Sequence, residues 1–231
     1  MRPSHLLPLL ALLGCSGQPT PAASLPSAPY RVLILGDSIS IGYTPFVREI
    51  LADMATVVRP TVANGDKAEN CAGTNYGKDQ IARWLQLEGG AFDVIHFNFG
   101  LHDLKHVDPD TGKNSNDPIH PHQSRLKNYT AQLRSIAQEL QASGAQLIFA
   151  TTTPVPEGNV RPFRDPEDVV KYNAAAWGVM SELGIPINDL YGFALPRLAE
   201  IQHPANVHFT PEGSRLLAER VVQGVRVLAE R

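Results

Sequence analysis

The sequence predicts an α/β fold, a three-layer α/β/α sandwich in which a mostly parallel five-stranded sheet lies between two layers of helices. Three observations predict it. Short, continuous apolar runs of the kind buried on both faces of a sheet recur along the chain. Longer segments with apolar residues at helical spacing separate them, and this alternation builds parallel sheets. The chain has 231 residues, enough for one domain with a sizeable core and not comfortably enough for two.

The elements follow in order. Tyr30 to Leu35 (YRVLIL) is a first strand, ending at Gly36. Pro45 to Met54 places Phe46, Ile50 and Met54 on one helical face. Val57 to Val62 is expected as the second strand, although Pro60 cannot donate to a ladder. Lys78 to Leu87 is a helix carrying Ile81, Trp84 and Leu85, and Phe92 to Phe99 is the third strand. From Gln123 to Ala142, Leu126, Tyr129, Leu133, Ile136 and Leu140 recur at helical spacing, and Gly144 is placed to stop the helix. Ala145 to Thr151 is the fourth strand. Asp165-Pro166 supplies a cap and a first-turn proline for a helix to about Leu183, with Val170, Ala174 and Trp177 inward. Ile185 to Asn188 is a short fifth strand. Thr210-Pro211 repeats the cap-and-proline start, and the last helix buries Leu217, Val221, Val225 and Leu228. Trp84 and Trp177 are both expected in the core.

The first 29 residues differ from the rest. Arg2 gives a positive start, and Leu6 to Leu13 is an apolar run too short to span a bilayer. Such a start describes a secretion signal. Leu12-Leu13-Gly14-Cys15 resembles a bacterial lipobox, which implies cleavage before Cys15 and a lipid on its sulfur. Residues 1–14 are therefore expected as a lipoprotein signal peptide, 15–29 (with SGQPTPAASLPSAP) as a flexible tether, and 30–231 as the folded domain. The expected place is outside the cytoplasm, in a bacterial periplasm, on an outer membrane or at the cell surface, with membrane association through Cys15. Cys71 is then left without an intramolecular partner, so the fold needs no disulfide.

Composition narrows the function. The formal charge is −3 and the sequence pI about 6.2, which gives no basic face for nucleic acid. No G-x-G-x-x-G or G-x-x-x-x-G-K-[ST] follows the first strand, so a phosphate cradle is missing. Ligand sites in parallel α/β sheets lie beyond the carboxyl ends of the strands. That rule selects Gly36–Gly42, Gly100–Asp103 and Thr151–Pro154, each directly after a strand.

The first of these opens with Gly36-Asp37-Ser38-Ile39-Ser40. A serine hydroxyl at a tight strand-to-helix turn is open to substrate and can be activated by a base. The adjoining helix start offers unpaired N–H groups to a developing oxyanion. Near the C-terminus, Asn206-Val207-His208-Phe209-Thr210-Pro211-Glu212-Gly213 places His208 just before a capped helix. The fold brings that loop to the same sheet edge.

With these residues the chain resembles the GDSL/SGNH hydrolase family. GDSIS matches the family's nucleophile block, VHFTPEG its histidine block, and His96–Asp103 (HFNFGLHD) its third block. Asn70-Cys71-Ala72-Gly73-Thr74 sits where the family has its oxyanion glycine. The resemblance covers Tyr30 to the C-terminus, with the blocks in the family's order. It implies ester hydrolysis through an acyl-enzyme: Ser38 attacks, His208 takes and returns the proton, and the N–H groups of Ser38 and Gly73 hold the oxyanion. It implies neither a metal nor an organic cofactor.

Two positions depart from the family pattern. The third block usually reads G-x-N-D, the asparagine acting as an oxyanion donor; here it reads Gly100-Leu101-His102-Asp103. An imidazole N–H can donate the same bond, so His102 is the candidate replacement. The family also has aspartate three residues before the histidine, where this chain has Ala205. In a serine-protease triad, exchanging the carboxylate for an amide costs about 10⁴ in turnover. Either Ser38 and His208 act as a dyad or another group orients His208. Beside a backbone carbonyl, the candidates for a supporting role are Asp37, Asp103, Asp189 and Asn206; for Asp189 a helix cap is the preferred reading.

The segment from His102 to His122 (HDLKHVDPDTGKNSNDPIHPH) is rich in His, Asp and Asn. A metal site is conceivable there, since calcium loops use such oxygen ligands, but the spacing lacks the EF-hand pattern and a terminal bidentate glutamate, so the preferred expectation is a solvated insertion beside the site, serving as a lid or a substrate rim. The leading function is an esterase that removes short acyl groups from carbohydrate, acting as a monomer on a small-molecule or glycan ester. A lysophospholipase or thioesterase would use the same residues. An inactive domain that keeps the fold for binding is the rival from another class.

Overall fold

The first strand, β1 (Tyr30–Leu35), is hidden from solvent from Val32 to Leu35, as its unbroken apolar run requires. It pairs with β2 (Ala55–Val58) on one side and β3 (Val94–Phe97) on the other, with Val32 opposite Val57 and Val94. β4 (Gln146–Ala150) and β5 (Ile187–Asn188) complete the sheet in the order β2-β1-β3-β4-β5. Every pair is parallel, so the sheet is wholly rather than mostly parallel. The computed structural model describes residues 29–62, 65 and 67–229. The signal peptide, Cys15 and all but the last residue of the tether lie outside the described residues.

Helices cover both faces. On one side α1 (Ser38–Ile50) packs against α7 (Pro211–Ala229). On the other, α3 (Leu126–Ala142) lies between α2 (Thr74–Trp84) and α4 (Pro166–Leu183). Two short helices, α5 (Leu190–Ala194) and α6 (Leu198–Ile201), link β5 to the loop before α7. The connection from β1 runs to β2 on one side and that from its neighbour β3 runs to β4 on the other, and the crevice at such a reversal is where ligands bind. Among the described residues no helix is long and apolar enough to cross a membrane.

Most elements form for the expected reasons. Thr210 caps α7 by accepting from the Gly213 N–H at 3.0 Å, and Leu217, Val221, Val225 and Leu228 are buried. Asp165 caps α4 by accepting from the Glu167 N–H at 2.9 Å, and Gly184 ends that helix in the left-handed region at φ 68°.

The structure corrects the inward face of α4. Val169, Tyr172, Asn173, Ala176 and Met180 face the core, whereas Val170, Ala174 and Trp177 face solvent, Trp177 being 48% exposed. Two neighbouring stripes of this helix carry apolar residues, and polar tips choose between them. The Tyr172 hydroxyl donates to the Ser124 carbonyl at 2.5 Å. The Asn173 amide exchanges two 2.9 Å bonds with the backbone of Thr152. In the observed register both side chains find partners.

The helices α1 and α2 start earlier than expected, at Ser38 rather than Pro45 and at Thr74 rather than Lys78, and each ends about one turn early. Pro45 lies inside α1, not in its first turn. The strand β2 stops at Val58, before Arg59-Pro60.

Candidate active site

The nucleophile turn is built at the carboxyl end of β1. Gly36 is its tight point: a Cβ there would stand 2.9 Å from Ser40 Oγ. Asp37 then caps α1, its carboxylate accepting from the Ile39 N–H at 2.9 Å, so that Ser38 becomes the first helical residue. Asp37 is buried, which pushes its pKa up. Below the turn lies the buried Arg59 guanidinium. It donates to Ser40 Oγ (3.1 Å) and Thr44 Oγ1 (3.0 Å) on α1, and to the carbonyls of Gly36 (3.2 Å) and Glu69 (3.0 Å). One side chain therefore fastens the serine turn to the segment leading into Gly73.

His208 comes from the loop between α6 and α7. The loop is closed by the His203 N–H to the His208 carbonyl (3.0 Å) and the Asn206 N–H to the His203 carbonyl (3.2 Å). The chain reverses at Ala205, which is in the left-handed region at φ 49°. Gln202, buried below, donates to the carbonyls of Pro154 (3.0 Å) and Val207 (3.1 Å) and so ties the loop to the segment that follows β4. The result places His208 Nε2 2.9 Å from Ser38 Oγ, across 170 residues of sequence. On the far side of the ring, Nδ1 is 2.8 Å from Asn206 Oδ1.

The third arm joins at the same edge. The Cys71 N–H donates to the Gly36 carbonyl at 3.1 Å, which seats the 70–73 segment beside the serine turn. Gly73, extended at φ −99°, is the N-cap of α2. Its own N–H and that of Ser38 belong to the helix-start groups that have no intrahelical acceptor. Asp103 is fully buried and caps the same helix, accepting from the Thr74 N–H (2.9 Å) and from Thr74 Oγ1 (2.5 Å). Burial pushes its pKa up to about 7. Gly100 begins this loop at φ 152°, where a Cβ would stand 2.1 Å from Thr152 Oγ1. His102 is half-buried, and burial, helped by the positive charges of Lys105 and Arg164, pulls its pKa down to about 3. It is a neutral imidazole with an N–H to donate.

A serine hydroxyl bonded to an imidazole whose other nitrogen is held by an acceptor is an arrangement that can make a nucleophile. The sequence model of the GDSL-like lipase/acylhydrolase family matches residues 34–216. The chain belongs to that family. Its class is accordingly that of the carboxylic ester hydrolases.

Solved structures share the fold of this GDSL-like domain. A lipase/acylhydrolase from Enterococcus faecalis superposes with a TM-score of 0.65 at 18% identity, covering 85% of this chain and 95% of that one. An acetylxylan esterase from Geobacillus stearothermophilus gives 0.62 at 17%, covering 85% and 94%. The acetyl xylan esterase AlAXEase gives 0.65 at 15%, covering 84% and 99%. No curated protein matches the chain in sequence.

The structure of this GDSL-like domain thus gathers Ser38, Gly73, His102 and His208 at one edge and gives the four supporting candidates different places. Asn206 holds His208. Asp37 and Asp103 cap α1 and α2. Asp189 is the N-cap of α5, accepting from the Gly192 N–H (3.0 Å) and Thr151 Oγ1 (2.9 Å), as its preferred reading had it. Sequence reasoning missed Arg59, Arg164 and Gln202. Arg164, buried, donates to the Leu101 carbonyl at 2.8 Å and steadies the His102 loop. Arg59 alone left a signal, a charge inside an apolar run at the catalytic end of a strand.

The insertion after His102 differs from expectation. Its tip is solvated, with Ile119 89% exposed, but its base is not: Lys105, His106 and Ser115 are buried.

Proposed function

We propose that the chain is an exported, lipid-anchored serine esterase that removes short acyl groups, acetyl first among them, from carbohydrate. The single observation that carries the catalytic part is the Ser38 Oγ–His208 Nε2 contact of 2.9 Å backed by Asn206. The acetyl and carbohydrate parts draw support from the acetylxylan esterases among the structural relatives and from the export signal expected at residues 1–14.

In this reading Ser38 Oγ attacks the ester carbonyl carbon while His208 Nε2 takes the hydroxyl proton. The carbonyl oxygen becomes an oxyanion met by the N–H groups of Ser38 and Gly73 and by a ring N–H of His102. Collapse breaks the bond to the alcohol, which leaves with the proton from His208. Water then attacks the acyl-serine, with His208 again as base, and releases the carboxylic acid. The chain supplies the donors and the proton shuttle from its own residues.

The deciding experiment is p-nitrophenyl acetate hydrolysis by the purified protein beside its Ser38→Ala and His208→Ala variants. Turnover that vanishes with Ser38 and falls nearly as far with His208 supports the esterase. Turnover faster on long acyl esters than on acetyl moves the reading to a lysophospholipase or thioesterase. The absence of any Ser38-dependent turnover moves it to a binding domain. For the anchor, Cys15→Ser should shift the protein from the detergent phase to the aqueous phase.

A further inference from the structure

Away from the catalytic edge, three ligand-type side chains from separate parts of the chain converge: His106, His122 and Asp168. One ligand atom from each lies within 4.8 Å of the other two. The two histidines sit opposite each other on a short antiparallel bridge, fixed by the Val107 N–H to the Pro121 carbonyl (2.9 Å) and the Gln123 N–H to the Lys105 carbonyl (2.8 Å). Asp168 is in the first turn of α4, behind the Asp165 cap. Its Oδ2 is 2.8 Å from His122 Nε2, and its Oδ1 is 2.8 Å from Lys171 Nζ. The His106 ring is walled by Phe163 at 4.9 Å and the His122 ring by Tyr172 at 5.7 Å.

An ordinary ion pair explains Asp168 with His122 and Lys171. It does not explain His106. That side chain is only 6% exposed and lies against the backbone of His120 and Asp117, its ring is 4.7 Å from that of His122, and its Nδ1 has no hydrogen-bond partner of good geometry among the described residues. Leaving a buried polar nitrogen unpaired costs stability. Burying it beside a second imidazole and a carboxylate makes sense if something joins all three.

We propose that His106, His122 and Asp168 bind one divalent transition-metal ion, zinc first among them. Two imidazoles and a carboxylate form a donor set that suits zinc and its neighbours, whereas calcium and magnesium take oxygen ligands. Metal–ligand bonds of about 2.0–2.2 Å place tetrahedral ligand atoms roughly 3.3 Å apart. Reaching that geometry means opening the His122–Asp168 contact by about half an ångström and drawing His106 in by about an ångström or more. Lys171 on Oδ1 holds the carboxylate so that Oδ2 faces the ion, the kind of outer contact that orients metal ligands. The ion would staple the base of the 102–122 insertion to α4. That base is joined to the oxyanion loop through the Ser124 N–H to the Asp103 carbonyl at 2.9 Å. The spacing of His and Asp within the insertion could not show this site, because the third ligand comes from α4.

The test is direct metal binding to the purified full-length protein, stripped with a chelator and titrated with Co(II), then with Zn(II). Wild type should take up one equivalent with the visible absorption of low-coordinate cobalt, and zinc should displace it. Asp168→Asn keeps the size and an acceptor for His122, so it should fold, as far-UV circular dichroism would check; its affinity should fall at least tenfold to a hundredfold. His106→Gln should behave alike, and excess zinc should raise the Tm of wild type alone. Failure to bind one equivalent, or binding unchanged in both variants, overturns the proposal. Ester turnover plays no part in the readout, so the outcome is separate from that of the esterase reading.

Discussion

Asn206 Oδ1 accepts two hydrogen bonds from the same residue, one from the His208 backbone N–H at 3.0 Å and one from Nδ1 at 2.8 Å. A backbone N–H can only donate, so the side-chain atom facing it is the amide oxygen and not the amide nitrogen. Since that oxygen also faces Nδ1, the proton sits on Nδ1 and the Nε2 lone pair points at Ser38. The backbone of His208 thereby chooses the tautomer of its own ring. In a serine-protease triad an amide in place of the carboxylate selects the wrong tautomer. Here the second bond prevents that.

Removing this acceptor should cost turnover. Asn206→Ala is expected to lower kcat on p-nitrophenyl acetate by about 10²-fold with little change in KM. Asn206→Asp adds a charge that favours the imidazolium, so the acid limb of its kcat/KM profile should move to higher pH. An unchanged Asn206→Ala rate would remove the orienting role.

His102 offers a neutral ring N–H where the family pattern has an asparagine. His102→Ala should reduce kcat on the order of 10²–10³-fold, and His102→Asn should restore much of it by supplying an amide donor. Equal losses in the two variants would show that His102 acts only by packing.

At Gly73 a Cβ would stand 2.8 Å from Gln123 Nε2 and 3.1 Å from Asp103 Oδ1. The Gln123 tip can swing away; the Asp103 carboxylate, fixed by Thr74, cannot. Gly73→Ala should therefore shift the oxyanion arm by a few tenths of an ångström and lower kcat about 10-fold to 10²-fold. Adding Gln123→Ala should not rescue it. Rescue by that second change would mean that the glutamine, not the carboxylate, sets the space.

His96 is fully buried on β3, and burial pulls its pKa down to about 4 from an ordinary 6.5. The sign follows from which state holds more protons. Between those values the unfolded chain is protonated there and the folded chain is not. The contribution is complete above about pH 6.5 and is lost as pH falls through about 4. His96→Gln removes it, so the stability difference between pH 7 and pH 5, read by urea unfolding, should shrink by about 2 kcal/mol. A difference of the same size in both proteins would show that His96 does not titrate this way.

The strands β1, β3, β4 and β5 and the presence of the three long helices α3, α4 and α7 are legible because apolar residues recur along them and because Asp165, Thr210 and Gly144 mark two starts and a stop; the inward face of α4 is not, because two neighbouring stripes of that helix carry apolar residues. The first turns of α1 and α2 are not legible. In α1 the buried stripe begins in the first turn with Ile39 and continues through Tyr43 and Val47, which the sequence reading passed over for Phe46 and Ile50; in α2 the first-turn Thr74 is buried but spends its hydroxyl on Asp103 and Gln132, so the apolar period begins only at Ile81. Ser38, Gly73, His102 and His208 could be singled out by residue type and place. The bond that holds His208 could not be assigned, because Ala205 removes the expected acid and only the turn at φ 49° shows that the next residue swings its amide under the ring. Arg164 and Gln202 act by donating to backbone carbonyls distant in sequence, for which no local pattern exists.

The Arg59 guanidinium grips the Gly36 carbonyl and the Glu69 carbonyl with one nitrogen, and α1 with the other. In the proposed reaction the attacking group and the oxyanion arm are thereby referenced to a single buried side chain. Thermal displacement of that side chain is common-mode: it carries both sides of the reacting carbonyl in the same direction and leaves their separation nearly untouched. The spacing that the chemistry senses is thus steadier than the position of either part within the molecule.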